Sequence, residues 1–233
     1  MGKPKSSYAL WIIGHILRAL LVLVIIGMCT VLIWRMAFSQ RTPSALSEIA
    51  DNKVLSAAYE KNGNALTILE QEQVKYTEGA ENYAYFNLDY CYFIKEADQV
   101  QLLLFYNNST LEHLAEDHQL AEVPPRGAEV FSLKLTQYID VTPADYEKKD
   151  KDDIVTKERV ITPTSCEIDT NSLYTFIRYT FDGVELVEDT VVIYLDMCYG
   201  EEMESYGTLR LFHRESVSTE RALSETEKEI IAK

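Results

Sequence analysis

Residues 83–106 read YAYFNLDYCYFIKEADQVQLLLFY, and this stretch decides the class of fold. Aromatic and aliphatic side chains with high strand propensity dominate it, and the run breaks once, at Glu96, Ala97 and Asp98. Two strands joined by a hairpin turn are the expected outcome. Just upstream the period is already two, with Leu66, Ile68, Glu70, Glu72, Val74 and Tyr76 in register. Downstream the theme repeats at Val130 to Ile139, Lys157 to Thr162, Leu173 to Phe181, Leu186 to Tyr199 and Tyr206 to Phe212, with Asp182 and Gly183 as a strong turn signal. Residues 64–216 are therefore expected to form a mainly β domain, an antiparallel β-sandwich or a barrel-like closure of one.

Helical signals interrupt or flank this pattern. Ser109 and Glu112 form a capping box before Leu111, Leu114, Ala115 and Leu120, which predicts a short helix across one end of the sheets. Residues 217–233 are charged and weakly periodic, with Ser224 and Glu227 as a second capping box, and are expected to form a frayed helical tail. The loop from Thr142 to Lys157 mixes charges of both signs and reads as a solvated connection. Residues 42–63 are expected to form a juxtamembrane stalk helix, started by Thr42 and Pro43 and stopped after Asn62 at Gly63. Its apolar positions, Leu46, Ile49, Ala50, Val54, Ala57 and Ala58, recur at helical spacing and suit docking on its own domain.

Residues 1–41 differ in kind. From Tyr8 to Phe38 the sequence is nearly unbroken hydrocarbon, and the first carboxylate of the chain is Glu48. A bilayer core of about 30 Å needs about 20 helical residues. Ala19 to Phe38 supplies them, with Arg18 and Arg35 snorkelling to opposite faces. Trp11 and Trp34 lie 23 positions apart, roughly 35 Å along a helix, which suits the two aromatic belts of a membrane. A cleaved signal peptide is disfavoured, because the apolar run is about twice the usual length and Trp34 and Arg35 sit where small neutral residues are needed. An uncleaved signal anchor is expected. Lys3, Lys5 and Arg18 before the span, against Arg35 and Arg41 after it, favour a cytoplasmic N-terminus and an extracytoplasmic C-terminal domain.

Charge narrows the partners. Five of the 22 basic residues precede Thr42 and all 37 acidic residues follow it, so 17 basic residues face 37 acidic ones after the span, a formal charge of −20. Such a domain repels nucleic acid and anionic headgroups. The partners expected are the lipid bilayer, through the N-terminal helix, and an envelope protein or peptide; nucleic acid is not one of them.

Catalytic chemistry is thinly represented. No nucleophile elbow, P-loop or dinucleotide fingerprint is present, and of the 4 histidines only His15 lies in the anchor, while His113 and His118 share one short segment. His113 and Asp117, at i and i+4, are weak metal candidates, outweighed by a solvated polar helix face. Asp150, Asp152 and Asp153 lack the glycine and terminal glutamate of a calcium loop and have Lys148, Lys149 and Lys151 beside them. Cys91 and Cys198 could form a disulfide, leaving Cys166 free in a loop; unpaired thiols are the competing reading. The sequons at Asn107 and Asn108 have a simpler explanation as a strand end, turn and helix cap. Fifteen tyrosines suit either a recognition face or ordinary strand surfaces. No cofactor is expected. The sequence thus points to a membrane-anchored, non-catalytic binding or assembly module. A structural subunit of a larger membrane complex and a metal-assisted extracytoplasmic enzyme are the alternatives.

Overall fold

Thirty-five residues without a single carboxylate, Lys5–Ser39, form one unbroken helix, α1. The computed structural model describes residues 5–71, 75–76, 87–117, 119–128, 131–140, 156–184, 190–199, 204–213 and 218–233. Among them only Trp11–Ser39 is long and apolar enough to cross a membrane, and its hydrocarbon side chains are exposed throughout. The helix extends well before Arg18, taking in Tyr8 to Leu17. Met1–Arg41 and Thr42–Lys233 are two separate units.

The second unit is mostly β. Its strands are β1 Thr67–Gln71, β2 Lys75–Tyr76, β3 Asn87–Ile94, β4 Gln99–Asn107, β5 Phe131–Asp140, β6 Thr156–Ile161, β7 Ser165–Thr170, β8 Tyr174–Asp182, β9 Thr190–Tyr199, β10 Glu204–His213 and β11 Ser218–Ala222. A six-stranded sheet has the order β11-β1-β3-β4-β8-β7, and a five-stranded sheet the order β2-β10-β9-β5-β6. Every described strand pair is antiparallel. The expected hairpin at Glu96 to Asp98 is present: Lys95–Ala97 makes one 3-10 turn, Asp98 takes φ +48, and β3 and β4 pair on either side. At the other turn signal, Gly183 takes φ +74, which a residue without Cβ adopts readily.

One face of the six-stranded sheet presents Phe93, Val100, Leu102, Leu104, Ile177, Tyr179 and Phe181 to a core that also contains Leu133, Leu135 and Ile161 of the five-stranded sheet. The opposite face is buried too. Leu103 and Phe176 are fully enclosed with Leu46, and Ile68 and Ile94 pack with Ile49, Leu55, Leu223 and Ile231. From Gln99 to Leu104 the side chains of β4 are therefore all buried, the pattern of a strand covered on both sides.

Several expectations change. The stalk is not one helix: α2 Ser44–Ser47 and α3 Lys53–Lys61 are separated by extended backbone, with Glu48 at φ −99, ψ 163 and Asn52 at φ −151, ψ 169. Asn52 restarts the helix by accepting from Leu55 N at 3.0 Å, and Pro43 occupies the cap position of α2 rather than its first turn. The stretch 66–76 divides into β1 and β2, which belong to different sheets. Cys166 lies in strand β7 rather than in a loop. The C-terminal tail begins with a strand, β11, paired with β1 from Thr67↔Ala222 to Gln71↔Ser218. Helix α5, Glu225–Ile231, follows and buries Ile231 in the core. The expected short helix is α4, Thr110–Asp117.

Candidate functional site

The chain just past residue 41 lies across the outer face of the six-stranded sheet, and the sheet holds it by its backbone. Three strands supply the donors and acceptors. On β3, Tyr90 Oη donates to Leu46 O at 2.9 Å. On β8, Arg178 Nη1 donates to Glu48 O at 2.6 Å. On β4, Gln101 Oε1 accepts from Ala50 N at 2.7 Å while its Nε2 donates to Ala50 O at 2.9 Å. The Gln101 amide thus pairs with both backbone groups of one residue, Ala50, as a neighbouring strand would. Gln99 continues the line, its Nε2 donating to Asn52 Oδ1 at 3.1 Å and to Asp182 Oδ1 at 2.7 Å.

These contacts follow a register. Leu103 pairs across the sheet with Tyr90 on one side and Arg178 on the other, and Gln101 pairs with Tyr92 and Thr180. The strap residue Glu48 therefore lies over the row of Leu103, Ala50 over that of Gln101 and Asn52 over that of Gln99. Two residues of strap advance for every two residues of β4, in the antiparallel sense. Glu48 and Asn52, at the two ends of this stretch, take extended backbone angles, whose rise per residue is that of a strand. Between the hydrogen bonds, the side chains of Leu46, Ile49 and Ala50 are buried.

The electrostatics fit a closed surface. Burial pushes the Tyr90 hydroxyl up to about 12, against the opposing pull of Arg178. Arg178 is only 5% exposed; its Nη2 donates to Glu167 Oε2 at 2.6 Å, and its Nε has no hydrogen-bond partner among the described residues. A buried guanidinium is costly unless its donors are met, and the Glu48 carbonyl offsets part of that cost beneath the strap.

A second polar network fastens the C-terminus. Arg221 Nη1 and Nη2 donate to the two carboxylate oxygens of Glu227 at 2.8 and 2.9 Å, and Ser224 N donates to Glu227 Oε2 at 2.7 Å. Burial would raise the Glu227 carboxyl, but Arg221 and Ser224 outweigh it and hold the carboxyl below its ordinary range. The Arg221 guanidinium also lies over the Tyr92 ring, 5.3 Å from its centroid.

The residues singled out in the sequence fare differently. His113 and Asp117 are exposed on α4, and no group of three or more metal-ligating side chains gathers around them among the described residues. Cys91 is a buried free thiol on β3, and burial pushes it far up. The strands that carry Cys91 and Cys198, β3 and β9, belong to different sheets. Cys166 is half-buried on β7. Trp11, Arg18, Trp34 and Arg35 are all exposed on α1. Tyr90, Tyr174 and Tyr179 are buried and Tyr92 is half-buried, so these four tyrosines are packing residues rather than a free recognition surface. Tyr83, Tyr85, His118 and the acidic cluster at 150–153 lie outside the described residues.

A cleft of about 420 Å³ opens at one end of the domain, between Asn107, the start of α4, Pro124 and Leu173. Its asparagines are engaged: Asn107 Oδ1 accepts from Ser109 N, and Asn108 Nδ2 donates to Asn171 O at 2.9 Å while its Oδ1 accepts from Thr175 Oγ1 at 2.7 Å. The strap contacts had no signature in the sequence beyond one hint, the absence of polar alternation in Leu102 to Tyr106. Compared with protein-family models, with curated proteins and with solved structures, the chain has no match.

Proposed function

We propose that this chain is a single-pass membrane protein with a cytoplasmic N-terminus, presenting an acidic domain outside the cytoplasmic membrane as a non-catalytic binding or assembly module of the envelope. The observation that carries it is the order of the chain. One apolar helix, Trp11–Ser39, precedes a domain that holds all 37 acidic residues. In this reading the two sheets form a sandwich whose second face is closed by the strap. The alternative, a subunit that meets a larger complex through α1 and the stalk, would use the stalk through its exposed Val54 and Ala57. The stalk's Leu46, Ile49, Leu55 and Ala58 are already buried in its own domain.

Protease accessibility in intact cells tests the topology. The C-terminal domain of the full chain should be digested from outside, and complete protection would overturn the reading. Crosslinking followed by a native pull-down tests the module, with an envelope protein or peptide as the expected catch. Retrieval of the chain alone, repeated with two crosslinker chemistries, would sink it.

A further inference from the structure

We propose that the outer face of the six-stranded sheet is a recognition surface for a short polypeptide segment of another protein, and that residues 42–52, a helical turn followed by a non-helical run, occupy it as an internal, displaceable stand-in. The proposal rests on the binding-module reading and names its site. Three features of the strap resemble a bound ligand rather than a structural element. It forms no ladder with any strand: β3, β4 and β8 are fully paired with one another beneath it, so it can leave without breaking a strand-to-strand hydrogen bond. The sheet reads its backbone, through Tyr90 to Leu46 O, Arg178 to Glu48 O and Gln101 to both atoms of Ala50, and backbone contacts accept any sequence. Its apolar anchors, Leu46 and Ile49, stand three residues apart and are 3% and 2% exposed, which sets the side-chain requirement.

Arg178 supplies an independent indication. A sheet face meant only to be covered is most simply covered by apolar side chains, as α3 covers Ile68 and Ile94 nearby. Here a guanidinium 5% exposed sits under the strap with Nε unmet among the described residues. A segment that brought an acceptor within reach of Nε would gain a hydrogen bond that the present arrangement lacks. The chemistry selected is a neutral or basic peptide with two apolar side chains three residues apart, the first in a helical turn and the second in the non-helical run that follows. Basic flanks are favoured because the domain carries a formal charge of −20 after residue 41.

The test uses the full chain in detergent micelles and a fluorescent synthetic peptide of residues 42–52, TPSALSEIADN, as the probe. Leu46→Ser combined with Ile49→Ser loosens the strap and leaves the sheet untouched. The opened chain should bind the probe at least tenfold more tightly than the parent, because the parent's affinity is its intrinsic affinity multiplied by its small open fraction. Adding Gln101→Ala to the opened chain should weaken binding about tenfold, and a scrambled probe should not bind. Equal binding by parent and opened chain, or none by an opened chain that still unfolds cooperatively, overturns the proposal. Should the opened chain not fold, hydrogen exchange on the parent decides: amides 48–50 must exchange faster than those of β4, and exchange only through global unfolding refutes a displaceable strap. Dimerisation that the probe suppresses would assign the surface to a second copy of this chain and overturn the proposal as stated. The wider binding-module reading is judged separately, since a pull-down unaffected by Gln101→Ala would place its partner on another face.

Discussion

Gln101 is where the strap is held most firmly, and its removal has a calculable cost. Gln101 is fully buried and Ala50 only 4% exposed, so Gln101→Ala strands the Ala50 N–H and C=O in a dry layer. Each orphaned group costs about 1–3 kcal/mol, or about 2–5 kcal/mol for the pair, against a typical domain stability of about 5–15 kcal/mol. The loss is bounded above by the free energy of opening the strap, because an open strap returns both groups to water. Denaturant unfolding of the full chain in micelles measures the first quantity, and hydrogen exchange at Ala50 measures the second. A loss under about 0.5 kcal/mol together with unchanged exchange at residues 48–50 would refute the pairing.

Gln101→Glu sharpens the test by adding a proton to the argument. Ionised, the new carboxylate keeps its acceptor for Ala50 N but turns a second oxygen toward Ala50 O, and two acceptors then face each other in a buried layer. Protonated, it restores the donor. Burial and the facing carbonyl both raise its folded value above the unfolded reference of about 4.3. The folded state therefore gains by protonation, and the deficit relative to the parent should shrink as pH falls through that raised value. A deficit constant between about pH 8 and pH 4 would show that the side chain does not face Ala50 as described.

Other consequences follow from the same contacts. Leu103→Ala, on the strap side of β4, should cost about 2–5 kcal/mol, as much as Leu102→Ala on the opposite face; a loss under 1 kcal/mol in denaturant unfolding would mean the strap does not cover it. Glu227→Gln should destabilise by about 1–3 kcal/mol, discounted because Arg221 is 31% exposed. The Glu227 carboxyl is held low, so its contribution is complete above the unfolded value of about 4.3 and fades as pH falls through the folded one; the variant should flatten that acid limb in thermal unfolding. Tyr90 is raised from 10.0 to about 12, so folding favours its protonated form and stability should decline between those values as pH rises, by about 2–3 kcal/mol. Tyr90→Phe should remove that alkaline decline, read as the difference from the parent in denaturant midpoint.

Much of the β domain was legible because its signals are local. The break at Glu96 to Asp98 lies where Asp98 takes a positive φ, and Gly63 and Gly183 end α3 and β8 with φ of +68 and +74. Missing were the elements whose partners are distant. The β7 strand, SCEIDT, is an exposed edge and lacks the apolar face that announces a strand. The β11 strand, STERA, is equally polar; it is a strand because β1 stands beside it in register. Continuous helical spacing through Leu46, Ile49, Val54 and Ala57 suggested one stalk helix, yet Gln101 and Arg178 hold Ala50 and Glu48 between α2 and α3, and Glu48 and Asn52 take extended rather than helical angles. Tertiary hydrogen bonds overrode a weak local preference.

The strap also explains a feature of the opening stretch that the hairpin alone does not. A two-layer β protein leaves one face of each sheet to water, and its strands alternate; QLLLFY does not alternate, so a cover on both sides was implied. What supplied the cover was hidden, because a surface that grips backbone leaves its mark on the gripping side chains and none on the segment gripped. Gln99 and Gln101 are that mark. Two glutamines two residues apart on a strand look solvent-facing, and both prove to be fully buried. In a mainly β chain, a glutamine adjoining a non-alternating apolar run is better read as a waiting partner for a peptide unit than as the wet face of a strand, since water is already excluded on both sides.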